Sequence, residues 1–384
     1  LLAHSPASPS VVAYVMFDKS FVSVPYYRQE ACMAQLGLEL PRETIPNWYI
    51  KCALEYFEPV YSLMHRLLLQ RDVIHADETA CQVLREKGKA AGSTSYMWIY
   101  LSGSDGLPPI VLYEYQPGRS GDFPKAFLDG FSGIVQCDGY SGYNKVEDVI
   151  LAVCSAHCRR KFYEALPTEW QKKLKLLDIN SEMDVKDIQL PDSEQMKNMI
   201  PAEIGLVFFN KLFFIEKGLK GMDPEQRKKK RLDKEAPVWE KFRAWIETLK
   251  PLGGSKLEKA VNYSVNHRET LQSYMLDGRC ELSNNKAERC AKSYAIGRKN
   301  SLFHTSAAGA EASALVYSMI ETAKSNKLNV FQYLYVLLLY MPEHKDDPDA
   351  VETLLPWSDF IKERCTGLID VETITPENKP QLPI

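Results

Sequence analysis

Five short apolar segments between residues 71 and 165 constrain the fold of this 384-residue chain more than any other feature. They are rich in β-branched and aromatic residues, which favour extended strands. Gly- and Ser-containing turns separate the first three, whereas stretches with helical spacing separate the later ones. Strands joined by tight turns pair antiparallel, and strands joined through helices run parallel. The segments are residues 72–77, 95–101, 109–115, 132–138 and 149–155.

These segments predict the fold class and the division of the chain. Three antiparallel strands followed by two helix-connected strands indicate an α/β fold, a mixed five-stranded ribonuclease-H-like sheet with flanking helices. Residues 71–168 are the first part of this core, an all-helical insertion occupies residues 169–278, and residues 279–341 complete the core. Within the insertion, the acidic residues 184–195 are expected to form a loop. The tail, residues 342–384, is rich in Pro, Asp and Glu and is expected to be irregular.

The N-terminal region, residues 1–70, is expected to be helical. A short helix is followed by a break at Gly37, a start at Pro41 and a long amphipathic helix. This order fits a DNA-binding helix-turn-helix, and it fits equally two helices packed together without DNA contact. The chain begins with Leu rather than Met, and we therefore expect further parts of the protein upstream.

Charge and composition limit the possible partners. With 47 basic and 50 acidic residues the net charge is −3, so any nucleic-acid binding must come from local basic patches. The strongest patch is QRKKKR at residues 226–231. Nine cysteines form no CxxC pair, which favours reduced thiols in a cytosol. The longest apolar run, residues 333–341, is nine residues, whereas a bilayer span needs about 20; we therefore expect a core helix and no membrane partner.

Two acidic residues end predicted strands of the sheet. Asp77 closes the first strand and Asp138 closes the fourth, and these strands are neighbours in the predicted order. Two carboxylates side by side repel unless a cation lies between them. Mg²⁺ fits this position because it is a hard ion that prefers oxygen ligands. The sequence therefore predicts a metal site at this edge of the sheet.

A predicted helix at residues 284–296 offers a third carboxylate, Glu288. Lys292 lies four residues later on the same face, and Arg289 is adjacent. Arg298 and Lys299 follow Gly297, at which we expect the helix to stop. An acid flanked by cations fits metal ligation beside a polyanion. Asp77, Asp138 and Glu288 together therefore predict a site for two metal ions and phosphoryl transfer.

Five ordered motifs resemble the transposases of the insertion sequence 66 family. They are IHADET, QCDGYSGYN, CSAHCRRKFYEA, NNKAERCAKSYAIGRKNSLF and SALVYSMIETAKSNKLNVFQYL. The resemblance implies a DDE-type enzyme with a ribonuclease-H-like core, whose acidic triad falls on Asp77, Asp138 and Glu288. It also implies zinc-binding and helix-turn-helix segments upstream of residue 1. The chain departs from the common family pattern at Ser155, Cys158, Ser283 and Ser301, which leaves room for an inactive copy.

Other candidate residues have more than one interpretation. Cys154, His157 and Cys158 lack the second ligand pair that a structural zinc site needs. His157 and Arg160 are expected to begin the helix after the fifth strand and to hydrogen-bond a carboxylate or a phosphate, although a buried structural histidine fits equally. His75 is expected to be structural, as is Glu78 on the opposite face of the strand. The basic run 226–231 is either a solvated face or a phosphate contact.

The resulting hypothesis is a DNA transposase that cleaves and joins phosphodiester bonds with two Mg²⁺ or Mn²⁺ ions. Its partner is double-stranded DNA, both transposon ends and target, with Lys292, Arg298 and Lys299 neutralising phosphates. We expect a cytoplasmic, nucleoid-associated protein that forms a homo-oligomer on DNA and works with accessory transposition proteins. The alternative is a catalytically silent, transposase-derived DNA-binding or assembly protein. A carboxylate-pair glycoside hydrolase has little support because the tryptophans fall within helix or strand patterns.

Overall fold

The structure is a computed structural model that describes residues 1–3, 5–176, 189–367, 375, 377–379 and 381–382. The chain divides into two compact units. The first unit comprises residues 1–102, 106–131 and 287–384, and the second comprises residues 103–105 and 132–286.

Five strands form one mixed sheet in the order β3-β2-β1-β4-β5. The strands are β1 (Val73–Arg85), β2 (Thr94–Ser102), β3 (Val111–Gln116), β4 (Gly133–Cys137) and β5 (Val149–Val153). β1 pairs antiparallel with β2, and β2 pairs antiparallel with β3. β4 and β5 are parallel. The predicted ribonuclease-H-like sheet is therefore confirmed, including the position of the first and fourth strands as neighbours.

β1 is longer than the sequence indicated. Its pairing with β2 continues to Gln82, opposite Thr94. A short strand, β6 (His304–Ser306), then pairs in parallel with the end of β1, so that Val83 lies opposite His304. The prediction that the strand closes at Asp77 is wrong, because two partner strands satisfy the backbone well beyond it. Asp77 lies within the strand, and its side chain points to one sheet face.

The helices of the first unit precede and follow its strands. They are α1 (Pro9–Ser20), α2 (Tyr26–Gln35), α3 (Thr44–Cys52), α4 (Glu58–Leu68), α5 (Asp122–Phe127), α13 (Asn285–Asn300, whose first two residues belong to the second unit), α14 (Ala307–Ser325), α15 (Val330–His344), α16 (Pro348–Thr353) and α17 (Asp359–Arg364). A π-helical turn, Ala53–Phe57, joins α3 to α4. The predicted helical N-terminus is confirmed. α15 is buried over most of its length up to Met341, but no described helix has the length and apolarity needed to cross a bilayer.

The tail is less irregular than predicted. α15 continues through Pro342, and two capped helices follow it. The Asp347 side chain accepts from backbone N–H groups at the start of α16, and the Ser358 hydroxyl does the same for α17. An acidic, proline-containing composition thus supplies helix starts here, since Asp, Ser and an early Pro favour N-termini.

The second unit carries seven helices after β5 among its described residues, in addition to a 3₁₀ turn at Ser273–Leu276. They are α6 (Ser155–Ala165), α7 (Thr168–Leu176), α8 (Ser193–Lys197), α9 (Pro201–Leu219), α10 (Pro224–Lys234), α11 (Ala236–Ile246) and α12 (Lys256–Asn266). Phe162, Phe209, Trp239 and Phe242 pack against one another in its core. The predicted loop 184–195 lies partly outside the described residues; 189–192 is irregular and 193 begins α8.

The sheet face opposite the one that carries Asp77 holds a partly buried carboxyl group, that of Glu114. Glu78, Trp98 and Glu114 lie in one cross-strand row. Arg119 forms an ion pair with Glu78, as expected of a structural residue. The Glu114 carboxyl accepts a hydrogen bond from the Gln116 amide at 2.8 Å, and burial raises its pKa to about 7.

The stability of the fold should therefore fall as pH rises from about 4.5 to 7. In that window the folded state retains the Glu114 proton, whereas the unfolded chain has released it. Glu114→Gln should raise the unfolding free energy by about 2 kcal/mol at pH 8 and change it little at pH 5. Urea denaturation at both pH values measures this difference. The exposed Glu311 supplies the control, Glu311→Gln; equal effects of Glu114→Gln at both pH values would contradict the assignment.

Candidate active site

Asp77 lies on the sheet face that α13 covers. Asp77, Ile99 and Tyr113 are directly opposite one another across β1, β2 and β3, and residues in such a row share one face. Ile99 and Tyr113 belong to an apolar cluster with Ala287 and Ala291 of α13. The first unit therefore places Asp77 and the helix that carries Glu288 on the same side of the sheet.

Specific hydrogen bonds fix the position of α13. The Tyr113 hydroxyl donates to the Cys290 carbonyl at 2.7 Å, and the Arg298 guanidinium donates to the Ala80 carbonyl. Burial raises the pKa of the Cys290 thiol to about 12, and the negative charge of Asp77 also raises this pKa. The helix cannot slide along the sheet without breaking these contacts.

Gly297 does not end the helix, so that prediction is wrong. α13 continues to Asn300, and a Cβ at position 297 would lie 2.3 Å from the Tyr317 hydroxyl. The glycine permits close packing of α13 against α14. Arg298 and Lys299 are consequently helical residues. Arg298 faces the sheet, whereas Lys299 is exposed.

Asp138 follows β4 directly in the second unit. Its Oδ1 accepts from the Tyr140 N–H at 2.8 Å. The Tyr263 hydroxyl, from α12, donates to the Asp138 carbonyl at 2.8 Å. His267 packs against the Tyr263 ring, with centroids 4.5 Å apart. Burial lowers the pKa of His267, and Asp138 opposes that shift. The prediction that Asp138 closes the fourth strand is confirmed, but sequence reasoning missed Tyr263 and His267.

The segment before α13 is bound to the ends of β4 and β5. The Gln136 amide donates to the Glu281 and Ser283 carbonyls and accepts from the Glu281 N–H. The Ser155 N–H donates to the Leu282 carbonyl at 3.1 Å. Asn284, which is fully buried, donates its N–H to the Cys154 Sγ at 3.1 Å. The chain therefore enters α13 from the strand end that Asp138 follows.

Comparison with known proteins assigns the family. The protein-family model described as Transposase IS66 family matches residues 4–312 of this chain. The chain belongs to this family. It therefore carries a DDE-type transposase domain.

Relatives of this IS66-family chain include three uncharacterized proteins of Sinorhizobium fredii. Protein y4qI is 29% identical over 366 residues, which are 91% of this chain and 62% of that protein. Protein y4hP is 26% identical over 363 residues, with the same coverage of both chains. The chain thus spans about 62% of the length of these two relatives. Among solved structures, the Drosophila P element transposase strand transfer complex matches 82% of this chain and 92% of that chain, with 10% identity and a TM-score of 0.40.

The basic run of this IS66-family chain is only partly a solvated face. Arg227 and Arg231 are buried. Arg231 donates to the Glu216 carboxylate and to the carbonyls of Tyr274, Asp277 and Cys280. Arg227 donates to Glu216, Glu281 and the Gly278 carbonyl. Burial alone would raise the pKa of the Glu216 carboxyl. The hydrogen bonds and positive charges of Arg231 and Arg227 outweigh this effect and hold that pKa below its usual value. These arginines support the segment that leads to α13, and neither is free to follow DNA.

The zinc interpretation gains no support from Cys158. Its Sγ lies 3.1 Å from the Ser264 hydroxyl, and burial raises the pKa of the thiol to about 12. A protonated thiol is a poor metal ligand. His157 and Arg160 lie in the first two turns of α6, directly after β5, as predicted.

The predicted site residues are divided between the two units. The first unit holds Asp77, Glu288, Arg289, Lys292, Arg298 and Lys299, and the second holds Asp138, His157 and Arg160. The convergence of the three carboxylates stays a prediction.

Gly139 should be sensitive to substitution because the chain turns sharply after Asp138. Its φ is +90°, and a Cβ there would lie 2.9 Å from the Tyr263 hydroxyl and 3.2 Å from the His267 Nε2. Gly139→Ala should lower the unfolding free energy by about 2–4 kcal/mol, from backbone strain, crowding and a disturbed hydrogen bond. Gly221, with φ +81° and open space around it, is the matched control, and Gly221→Ala should cost about 1 kcal/mol. Equal losses in chemical denaturation would show that contact with α12 is unimportant.

Proposed function

We propose that this chain is the catalytic part of a DNA transposase, with Asp77, Asp138 and Glu288 as its acidic triad. The observation that carries the proposal is the shared sheet face of Asp77 and α13, the helix on which Glu288 lies. Membership of the IS66 family supports the reaction class. The reaction is cleavage of phosphodiester bonds at transposon ends and transfer of the strands to target DNA.

Chain connectivity supports the inclusion of Asp138. Asp138 is the first residue after β4, and β4 is next to β1 in the strand order. The segment that is bound to β4 and β5 ends at Asn284. Glu288 lies four residues later in α13, which corresponds to a rise of about 6 Å along the helix axis. Asp138 and the segment that leads to α13 are therefore both connected to the same end of β4.

Three carboxylates suit divalent metal ions. Carboxylate oxygens are the ligands that Mg²⁺ and Mn²⁺ prefer, and acids brought close together repel unless cations lie between them. Two such ions, when bound, supply charge stabilisation for the attacking and leaving oxygens of an in-line displacement. Asp77, Asp138 and Glu288 would hold them, and the protein would contribute orientation of the scissile phosphate.

The partner in this proposal is double-stranded DNA, both transposon ends and target. Arg289, Lys292 and Lys299 are exposed on α13 and make no ion pair within the described part of the chain. They would neutralise backbone phosphates, a contribution to affinity that is independent of sequence. His157 and Arg160, at the start of α6, would contact a phosphate or a carboxylate. Joining two ends requires two active sites, and we therefore expect a homo-oligomer on DNA, assisted by accessory proteins.

A catalytically silent, transposase-derived DNA-binding protein is the second candidate. The chain spans about 62% of the length of the relatives y4qI and y4hP. All three acids are nevertheless present. Metal binding and strand transfer separate the two candidates.

Glu288→Gln should abolish metal-dependent strand cleavage and transfer, because it removes a ligand charge while keeping the side-chain shape. We expect activity at least 100-fold below wild type on duplexes that carry the transposon end, with unfolding free energy changed by less than about 1 kcal/mol. Asp77→Asn and Asp138→Asn should behave alike. Glu78→Gln is the control, since Glu78 faces the other side of β1. Full activity of Glu288→Gln would refute the triad.

Mn²⁺ should stabilise the folded protein, because an ion that binds only the folded state raises the unfolding free energy by about 2.7 kcal/mol at 100 times its dissociation constant. Thermal unfolding in millimolar Mn²⁺ measures this shift. We expect a rise in Tm for wild type and Glu78→Gln, and none when Asp77, Asp138 and Glu288 are all neutralised. No shift for the wild type would favour the silent protein.

A further inference from the structure

The outward face of α13 combines cations with an exposed aliphatic residue. Ala287, Ala291 and Tyr294 pack against the sheet. The residues of the other face recur at the three- and four-residue spacing of a single helical stripe. They are Arg289, Lys292, Ile296 and Lys299. All four are exposed, with 48% of Ile296 accessible. The stripe therefore faces solvent, although one of its members is apolar.

Two further apolar side chains continue the stripe beyond the helix. Leu302 is 66% exposed and Phe303 is 46% exposed. The turn that carries them is held on both sides, because the Asn300 amide donates to the Ser23 carbonyl at 3.1 Å and His304 begins β6. An exposed Leu or Phe forgoes a burial free energy that most side chains of this kind obtain. The turn is therefore anchored, and it holds both side chains in solvent.

Charge identifies the class of partner. α13 contains five basic residues and one acidic residue, which gives 5 − 1 = +4, whereas the whole chain has 47 − 50 = −3. A cationic helix ending in exposed apolar side chains complements a polyanion that also offers apolar surface. Duplex DNA has both, since its phosphates surround stacked bases. Leu and Phe are among the side chains that DNA-bending proteins insert between base steps.

We propose that Leu302 and Phe303 insert against the terminal base pairs of a DNA end and unstack them, while Arg289, Lys292 and Lys299 hold the adjoining backbone. This inference rests on the proposed function, because it assigns the base-contacting part of the same DNA surface. Unstacking costs a few kcal/mol for each base step. The exposed apolar pair offsets that cost by covering the bases it separates. Ile296 lies between the phosphate contacts and would touch the sugar edge of the same strand.

The test separates base contact from phosphate contact and from catalysis. The probe is a blunt duplex of the transposon end with 2-aminopurine at the terminal position, which fluoresces more strongly when unstacked. The full chain with Glu288→Gln binds this duplex without cleaving it. We expect fluorescence to rise several-fold on binding, and the further change Leu302→Ala with Phe303→Ala to reduce the rise to near zero and to weaken affinity about tenfold.

Salt dependence provides an independent readout. Removing Leu302 and Phe303 should leave the slope of log affinity against log salt unchanged, because neither residue neutralises a phosphate. Lys292→Ala and Lys299→Ala should each reduce the slope by about 0.9 while leaving the fluorescence rise at saturation intact. Leu252→Ala, which alters an 83% exposed leucine of the second unit, is the control for loss of an exposed apolar group.

Prior opening of the DNA end should rescue the double variant. On a duplex whose last two base pairs are mismatched, Leu302→Ala with Phe303→Ala should regain wild-type affinity, since the cost of unstacking is already absent. A fluorescence rise in the double variant equal to that of the parent, or affinity unaltered by either set of substitutions, would overturn the inference. If the wild-type chain unstacks the terminal base pairs but does not cleave the DNA, the inference stands and the proposed catalysis is refuted.

Discussion

The close contact between α13 and the sheet is the interaction on which the candidate site depends. Small side chains at Ala287, Ala291 and Gly297 let the helix backbone approach the sheet and α14. Larger residues would hold the helix away, since packed interiors leave little free volume. The hydrogen bond from Tyr113 to the Cys290 carbonyl and the one from Arg298 to the Ala80 carbonyl then fix its register. With the register fixed, both the position of Glu288 and the direction of the cationic stripe are determined.

Buried charge organises the second unit in a comparable way. Arg231 is fully buried, and its guanidinium is shared between Glu216 and three backbone carbonyls. Burial raises the pKa of the Glu235 carboxyl well above its ordinary value, and the negative charge of Glu216 adds to that shift. Removing one partner from such a network leaves an uncompensated charge, which is strongly destabilising. The network holds the backbone of residues 274–281, from which the chain proceeds to α13.

Local patterns predicted the sheet well and the contacts of individual side chains poorly. Turn lengths and helical connections were enough for strand order and direction. The end of β1 was predicted wrongly because Asp77 and Glu78 interrupt the apolar run, although the backbone beyond them still pairs with partner strands. Glycine is a common residue at helix ends, which led to the prediction for Gly297. Its role is instead to leave room for the hydroxyl of Tyr317, which is distant in sequence. Tyr263 reaches Asp138 across 125 residues, and no local periodicity carries that information.

By itself, the sequence determined where the five main strands and most of the helices lie, the order of the strands, and the three acids that the family motifs contain. These properties depend on side-chain periodicity and on short connections, which act between near neighbours along the chain. Only the tertiary structure decided that Arg227 and Arg231 are buried supports, that Asp77 lies within a strand on the face that α13 covers, and that Leu302 and Phe303 are held outward. Each of these depends on burial and on partners remote in sequence, and a residue's burial is a property of the packed fold rather than of its neighbours in the chain.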